Sequence, residues 1–249
     1  MTEPGIGDAQ PSPSAPEQLA MSLRRGIALG TFEPGARLPN ERTLADRLGV
    51  SRMTVRAAMR MLALEGLVTT SRGRSGGTFV ASTPIQEAYG SQEAQGIDRF
   101  VAQVHDNFEV RLAVEPLAAQ LAAERATAPE RATVLDLLDT SVSGIRHYRM
   151  LDSRFHLLIA QASGNTSLAQ IIEGLRTEFF LWADAAWARL DWDLLTPPEQ
   201  DFGLTHRRLA EAIVDGDPDR SRALMEAHIE DGLRQLKSVI ASASRTHPS

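Results

Sequence analysis

The stretch RLPNERTLADRLGVSRMTVRAAMRMLALEGLVTTSRGRSGGTFV, residues 37–80, decides the fold of the N-terminal third of the chain. Its apolar residues follow helical spacing on both sides of LGVS, which is typical of a tight turn. Asn40 and Ser51 are residue types that cap helix N-termini, and Gly66 is a typical helix stop. The stretch therefore predicts two short helices, from Asn40 and from Ser51, joined by a turn.

Two β-branched runs follow the second helix, LVTTS (67–71) and GTFVAS (77–82), and RGRSG separates them. Such runs on either side of a Gly-rich tip predict a hairpin. A further helix is predicted over residues 17–30, ahead of the other two. Helix, helix, turn, helix and hairpin is the order of a winged helix-turn-helix.

Arginines line the helix after the turn, because Arg52, Arg56 and Arg60 recur every four residues away from its apolar face. One α-helix fits the major groove of DNA, where Arg can donate two hydrogen bonds to a guanine. Arg72 and Arg74 at the predicted hairpin tip suit the DNA backbone or the minor groove. A single arginine row is more often a solvated face, but the turn, helix and hairpin around this one favour DNA binding.

The composition of the 249 residues excludes several classes of protein. The chain has no cysteine, which excludes disulfides, thiolate nucleophiles and cysteine zinc sites. No apolar run reaches the length of a membrane span and no leader-type segment opens the chain, so we expect a cytoplasmic protein without membrane contact. Residues 1–83 carry ten arginines against seven acidic residues, whereas the whole chain has a net charge of −6. A basic head on an acidic body indicates that only the head meets a polyanion.

Beyond the hairpin, the sequence predicts a linker and then an all-helical domain. Helical apolar spacing recurs in six segments: 98–126, 130–146, 148–163, 166–188, 198–215 and 218–241. The expected division is a disordered tail, a winged helix-turn-helix, a linker, a helical domain and a second tail, over residues 1–16, 17–82, 83–96, 97–243 and 244–249. The predicted fold class is mainly α, with an N-terminal winged helix-turn-helix followed by an all-α helical-bundle domain.

Three histidines of this helical domain lie on apolar helix faces. His156 follows Asp152 by one turn, and His206 and His228 lie among apolar residues of the last two predicted helices. Taken singly, each is more often a hydrogen-bonded core histidine than a ligand. Together, one Asp and three His form a set of nitrogen and oxygen ligands that Zn²⁺, Ni²⁺, Mn²⁺ or Co²⁺ accepts. The spacing alone does not force the last two helices beside the third.

The N-terminal module, residues 37–80, resembles the DNA-binding domain of GntR-family bacterial transcription regulators along its whole length. The resemblance implies DNA contacts from seven positions: Arg42, Ser51, Arg52, Thr54, Arg56, Arg72 and Gly73. Asn40 stands where Ser is usual, and Met53 stands where Thr is common. The second departure bears on the preferred base, not on DNA binding.

The helical domain is similar to the FCD effector domain of the FadR-type branch of that family. The similar stretches are FEVRLAVEPLAAQLAAERAT (108–127), DSRFHLLIAQASGN (152–165) and THRRLAEAIVDGDPDRSRALMEAHI (205–229). In metal-binding members an Asp and three His line the bottom of a helical pocket, and the matching positions are Asp152, His156, His206 and His228. Arg111 matches an arginine that faces the pocket, where it would pair with a carboxylate. A pair with Glu115, one turn on, is an equal alternative for Arg111.

These features predict a ligand-responsive transcription regulator that binds a palindromic double-stranded DNA operator as a homodimer. A divalent metal ion, Zn, Ni or Mn, is expected to hold a small carboxylate effector. One alternative is a metal-dependent enzyme acting on a small organic acid, because such a metal can activate water. No nearby general base is evident, which favours the regulator. A regulator that responds to acyl-CoA is the other alternative, although a metal site suits small carboxylates better.

Overall fold

The computed structural model describes residues 13–32, 35–71, 73, 76–81, 93–141, 144–187 and 201–246. Within these ranges the chain forms nine α-helices and one antiparallel two-stranded sheet, so the predicted mainly α fold class is confirmed. The helices are α1 (Ala15–Ala28), α2 (Glu41–Leu48), α3 (Arg52–Leu64), α4 (Glu93–Arg125), α5 (Ala128–Leu138), α6 (Gly144–Ala162), α7 (Thr166–Trp187), α8 (Asp201–Val214) and α9 (Pro218–Thr246), and the strands are β1 (Val68–Ser71) and β2 (Gly77–Val80). None of these described helices is long and apolar enough to cross a membrane.

A winged helix-turn-helix lies in the first of two compact units, which ends at Ala88. Asn40 Oδ1 caps α2 and Ser51 Oγ caps α3, each accepting a hydrogen bond from the backbone N–H three residues on, at 2.9 and 3.0 Å. Gly49 ends α2 at a φ of +65°, a left-handed conformation that glycine adopts without strain. The two caps and this glycine produce the tight turn that the sequence predicts.

The hairpin, which we call the wing, is fixed at its base and ends in a glycine-containing tip. Val68 lies opposite Val80 in the ladder of β1 and β2, and the buried Leu67 and Val80 anchor its base beside the equally buried Leu62 of α3. At the tip, Gly73 has a φ of +108°. The wing is therefore a short sheet attached to the end of α3.

Six helices, α4 to α9, form the second compact unit, and α4 packs against α6, α7, α8 and α9. Apolar residues of α6, α8 and α9 fill its core, among them Phe155, Ile159, Leu209, Ile213 and Met225. Buried polar residues interrupt the same helix faces. Because these faces converge, polar side chains that are distant in sequence meet inside the unit.

The predicted boundary between the fifth and sixth helices is wrong. Helix α5 ends at Leu138 rather than at residue 146, because the backbone N–H of Asp139 donates to a carbonyl three residues back and the chain turns. Helix α6 then begins at Gly144, four residues before the predicted start. The run of helical spacing across this region hid the turn.

The predicted ends of the tails and of the linker also need correction. Residues 15–16 and 244–246, predicted as tails, lie in α1 and α9, and residues 93–96, predicted as linker, lie in α4. The remaining tail residues 1–12 and 247–249 and most of the linker lie outside the described residues. The division into functional domains at residues 82 and 97 stays a prediction.

Candidate metal centre and nucleic-acid interface

Four side chains with metal-ligating atoms converge inside the helical unit. Asp152 and His156 extend from α6, His206 from α8 and His228 from α9, and their ligand atoms all lie within 4.8 Å of one another. Asp152 Oδ1 is 3.2 Å from His206 Nε2, 3.5 Å from His156 Nε2 and 3.7 Å from His228 Nε2. The structure thus brings together all four residues that the sequence singled out.

The spacing of these atoms suits a shared ion. Zn²⁺ binds His nitrogen at about 2.0–2.1 Å with tetrahedral geometry, which separates neighbouring ligand atoms by roughly 3.3 Å. The His156 and His228 Nε2 atoms are 3.1 Å apart, close to that separation. The Phe155 and His206 rings pack in a T-shaped arrangement, with ring centroids 4.7 Å apart. The donor set and its spacing fit a divalent metal.

Glu115 on α4 orients one of the histidines. Its Oε2 accepts a hydrogen bond from His156 Nδ1, so that Nε2 of the same ring points to the cluster. Ligating histidines commonly use their second nitrogen in this way, and the partner fixes the tautomer. Glu115 Oε1 also accepts a hydrogen bond of 2.5 Å from Arg111 Nε. Burial alone would raise the pKa of Glu115, but Arg111 and then His156 hold this pKa well below its usual range.

Arg176 on α7 is a candidate site residue that the sequence analysis missed. Its side chain is buried, and Nη2 donates to Asp152 Oδ2, the carboxylate oxygen on the far side from the histidines. Burial alone would raise the pKa of Asp152, but Arg176 together with His156 and His206 holds this pKa well below its usual range. The available signal was a charged residue on an otherwise apolar face, between Ile172 and Phe180.

The electrostatics of the cluster favour neutral imidazole at His228. Burial lowers the pKa of this histidine to about 4, with His206 and His156 adding to the effect and a hydrogen bond to Asp152 opposing it. Metal ions bind the neutral, deprotonated form of histidine. Near neutral pH the His228 side chain is therefore already in the form that binds metal ions.

Arg111 lies against Glu115, the alternative that the sequence analysis kept open. Both side chains are almost fully buried, at 4% and 1% relative exposure. The guanidinium also lies over the Phe108 ring, 4.6 Å from its centroid. A role for Arg111 in effector binding remains a prediction.

A candidate nucleic-acid interface lies on the outer face of α3. Arg52 and Met53 are exposed at its start, and Arg42 is exposed on α2. The hydroxyls of Ser51 and Thr54 take part in the N-terminal cap of α3. Their oxygens lie 2.9 Å apart, and Ser51 Oγ accepts a hydrogen bond from the backbone N–H of Thr54. These hydroxyls hold the helix start that a DNA backbone would approach.

Arg56 is paired with Glu41 of α2 in this arrangement. Its Nη2 lies 2.8 Å from Glu41 Oε2 and its Nε lies 3.1 Å from Oε1. The pair leaves one edge of the guanidinium occupied, so a bidentate contact to a base requires either the other edge or opening of the pair. Gly73 lies at the tip of the wing, and Arg72 lies outside the described residues.

Comparison with known proteins identifies the family. Residues 16–80 match the model of the bacterial regulatory proteins of the gntR family, and residues 106–231 match the FCD domain. The chain belongs to the FadR-type GntR regulators. Its DNA-binding helix-turn-helix and FCD domain make it a transcription regulator and not an enzyme.

Curated relatives of this GntR-family chain are named as regulators of an operon or of a regulon. The chain is 32% identical over 221 residues to the Escherichia coli (strain K12) protein assigned as the L-lactate dehydrogenase operon regulatory protein, covering 86% of this chain and 83% of that protein. It is 28% identical over 219 residues to the Exu regulon transcriptional regulator of the same strain, covering 86% and 81%. A solved structure, Streptococcus agalactiae GntR, is 27% identical, covers 88% of this chain and 99% of that chain, and superposes with a TM-score of 0.41.

Proposed function

We propose that the protein is a metal-dependent, carboxylate-responsive regulator that binds a palindromic operator as a homodimer. The observation that carries the proposal is the convergence of Asp152, His156, His206 and His228 on one point inside the FCD domain. These residues would hold a divalent ion, Zn, Ni or Mn. The ion would supply a Lewis-acidic centre with open positions for an anionic effector.

The charges around the cluster support an anionic effector. Arg111 pairs with Glu115 and Arg176 pairs with the partly buried Asp152, so the charges of these four side chains balance one another. A divalent ion held by neutral imidazoles adds two positive charges that nothing in this balance offsets. Uncompensated charge in a protein interior costs several kcal/mol. A small carboxylate that enters beside Arg176 would offset part of this excess.

The relatives support a small organic acid as the effector. One of them is assigned to the operon of L-lactate dehydrogenase, an enzyme whose named substrate is a hydroxy-carboxylate. A carboxylate with a neighbouring hydroxyl offers two hard oxygen ligands, which a divalent ion with open positions accepts. Acyl-CoA, the other effector class considered, offers no comparable pair of oxygens at its thioester end.

A panel of ligands tests the effector class. We expect one or more small hydroxy-carboxylates, such as L-lactate, to raise the melting temperature of the full chain loaded with Zn²⁺, Ni²⁺ or Mn²⁺. A ligand at 100-fold excess over its Kd adds about 2.7 kcal/mol to the free energy of unfolding. The matched control is the same acid after chelation of the metal, which should give little shift.

Three outcomes would contradict this assignment. A shift of equal size after chelation would make the metal irrelevant to effector binding. Stabilisation by acyl-CoA alone would favour the other effector class. Consumption of the acid, measured by chromatography of the ligand recovered after incubation with the protein, would indicate that the protein is an enzyme and not a sensor.

Operator binding is proposed to need two chains, because one recognition helix covers too few base pairs to be selective. Arg52→Ala should weaken binding to a selected palindromic operator by about 1–3 kcal/mol if Arg52 contacts a guanine with two hydrogen bonds. Arg207→Ala removes an exposed arginine of the FCD domain and serves as control. Fluorescence anisotropy at fixed salt measures both, since phosphate contacts make the affinity salt-dependent. Wild-type affinity in Arg52→Ala would place the groove contact elsewhere.

A further inference from the structure

Met53 is a large apolar residue in the first turn of α3, on the face of the helix that points away from the core. The opposite face is buried and contains Val55, Ala58, Met59 and Leu62. At 3.6 residues per turn, Met53 projects roughly opposite the middle of that buried stripe. Its relative exposure of 77% agrees with that position. The side chain therefore contributes nothing to the core of the winged helix-turn-helix.

The exposure of Met53 alone does not indicate a function, but the charged residues around it do. Single exposed apolar residues are common on protein surfaces. Leu64, 86% exposed at the far end of the same helix, is an example. Met53, in contrast, lies in the first turn, and Arg52, Arg56 and Arg60 are exposed around it. Met53 is an apolar side chain within a cationic face. It lies near the N-terminus of the helix, the end that contacts base edges in the major groove in helix-turn-helix proteins.

Three side chains near Met53, those of Ser51, Thr54 and Arg56, are engaged within the protein. The hydroxyls of Ser51 and Thr54 contact each other and the helix start. One edge of the Arg56 guanidinium binds Glu41. Met53, with a thioether that lacks any hydrogen-bond donor, extends outward beside Arg52.

We propose that Met53 contacts the C5-methyl group of a thymine and so fixes a T·A pair in each half-site of the operator. The thymine methyl is the apolar group on the base edges of the major groove. An unbranched, flexible thioether can adapt to it and shield it from water. The proposal rests on the DNA-binding function of the family and is independent of the metal centre.

Removal of the methyl group from DNA tests the contact directly. Operators selected from a random library by the wild-type chain are resynthesised with uracil in place of each conserved thymine, one at a time. At one position per half-site the affinity of the wild-type chain should fall about three- to fivefold, the effect expected for one lost methyl contact. Met53→Ala should bind the thymine and uracil operators equally at that position.

Library selection provides a second readout and a matched control. Met53→Ala should lose the preference for T at that position, whereas Leu64→Ala should keep both the preference and the uracil penalty. Both variants replace exposed side chains, and their melting curves should match the wild type. A uracil penalty of the same size in Met53→Ala, or none at any thymine with the wild type, would overturn the proposal.

Discussion

Replacement of Glu115 with alanine is expected to lower the free energy of unfolding of the protein by about 3–5 kcal/mol. The carboxylate is buried and binds Arg111 on one oxygen and His156 on the other. Its removal leaves the buried Arg111 cation without its ion-pair partner and His156 Nδ1 without its acceptor. A charge left uncompensated in an interior costs far more than the pair contributes when intact.

A double variant separates the effect of the unpaired charge on stability from the effect of lost packing. Arg111→Met combined with Glu115→Leu removes both charges and keeps similar volumes, and should recover the part of the lost stability that comes from the unpaired Arg111 cation, while His156 Nδ1 still lacks its acceptor. Glu230→Ala, which breaks the exposed pair with Arg234, should cost under about 1 kcal/mol. Urea denaturation of the four proteins measures all of these differences. A Glu115→Ala variant within about 1 kcal/mol of the wild type would mean that the two charges are not buried together in solution.

Local signals in the sequence were sufficient for the helix-turn-helix. Asn40 and Ser51 predict helix starts because a cap is a contact between residues three positions apart. Gly49 and Gly66 adopt positive φ at the two stops. Each feature is decided within one turn of chain, so periodicity and residue type suffice. The wing could be predicted for the same reason.

The candidate metal centre could be predicted only in part. The sequence placed Asp152 and His156 on one helix face, since that is again a contact within one turn. The meeting of that helix with His206 and His228 depends on how α6, α8 and α9 pack, and the period of a single helix carries no information on packing partners. Resemblance to the FCD domain supplied that link. Neither source indicated Arg176, whose partner Asp152 lies 24 residues away on another helix.

His206→Ala is expected to lower the metal affinity of the protein by more than the 10- to 100-fold typical of residues that only support a ligand. His206 is fully buried and comes from α8, so its loss would remove both a proposed ligand and the contact of that helix with Asp152 on α6. Metal should raise the melting temperature of the wild type and hardly change that of the variant, because an ion that binds only the folded state stabilises it.

An exposed second group of ligand-type side chains provides the control for this experiment. His105, Asp106 and Glu109 lie together on the surface of α4, within the described part of the chain. His105→Ala should keep the metal content of the wild type, measured by elemental analysis of protein purified without chelator. Asp152→Asn, which preserves volume but weakens the ligand, should behave like His206→Ala. Equal metal content in the wild type and His206→Ala, with a loss in His105→Ala, would place the ion on α4. Metal content near zero in the wild type after incubation with Zn²⁺, Ni²⁺ or Mn²⁺ would mean that these four residues form only a hydrogen-bonded polar cluster.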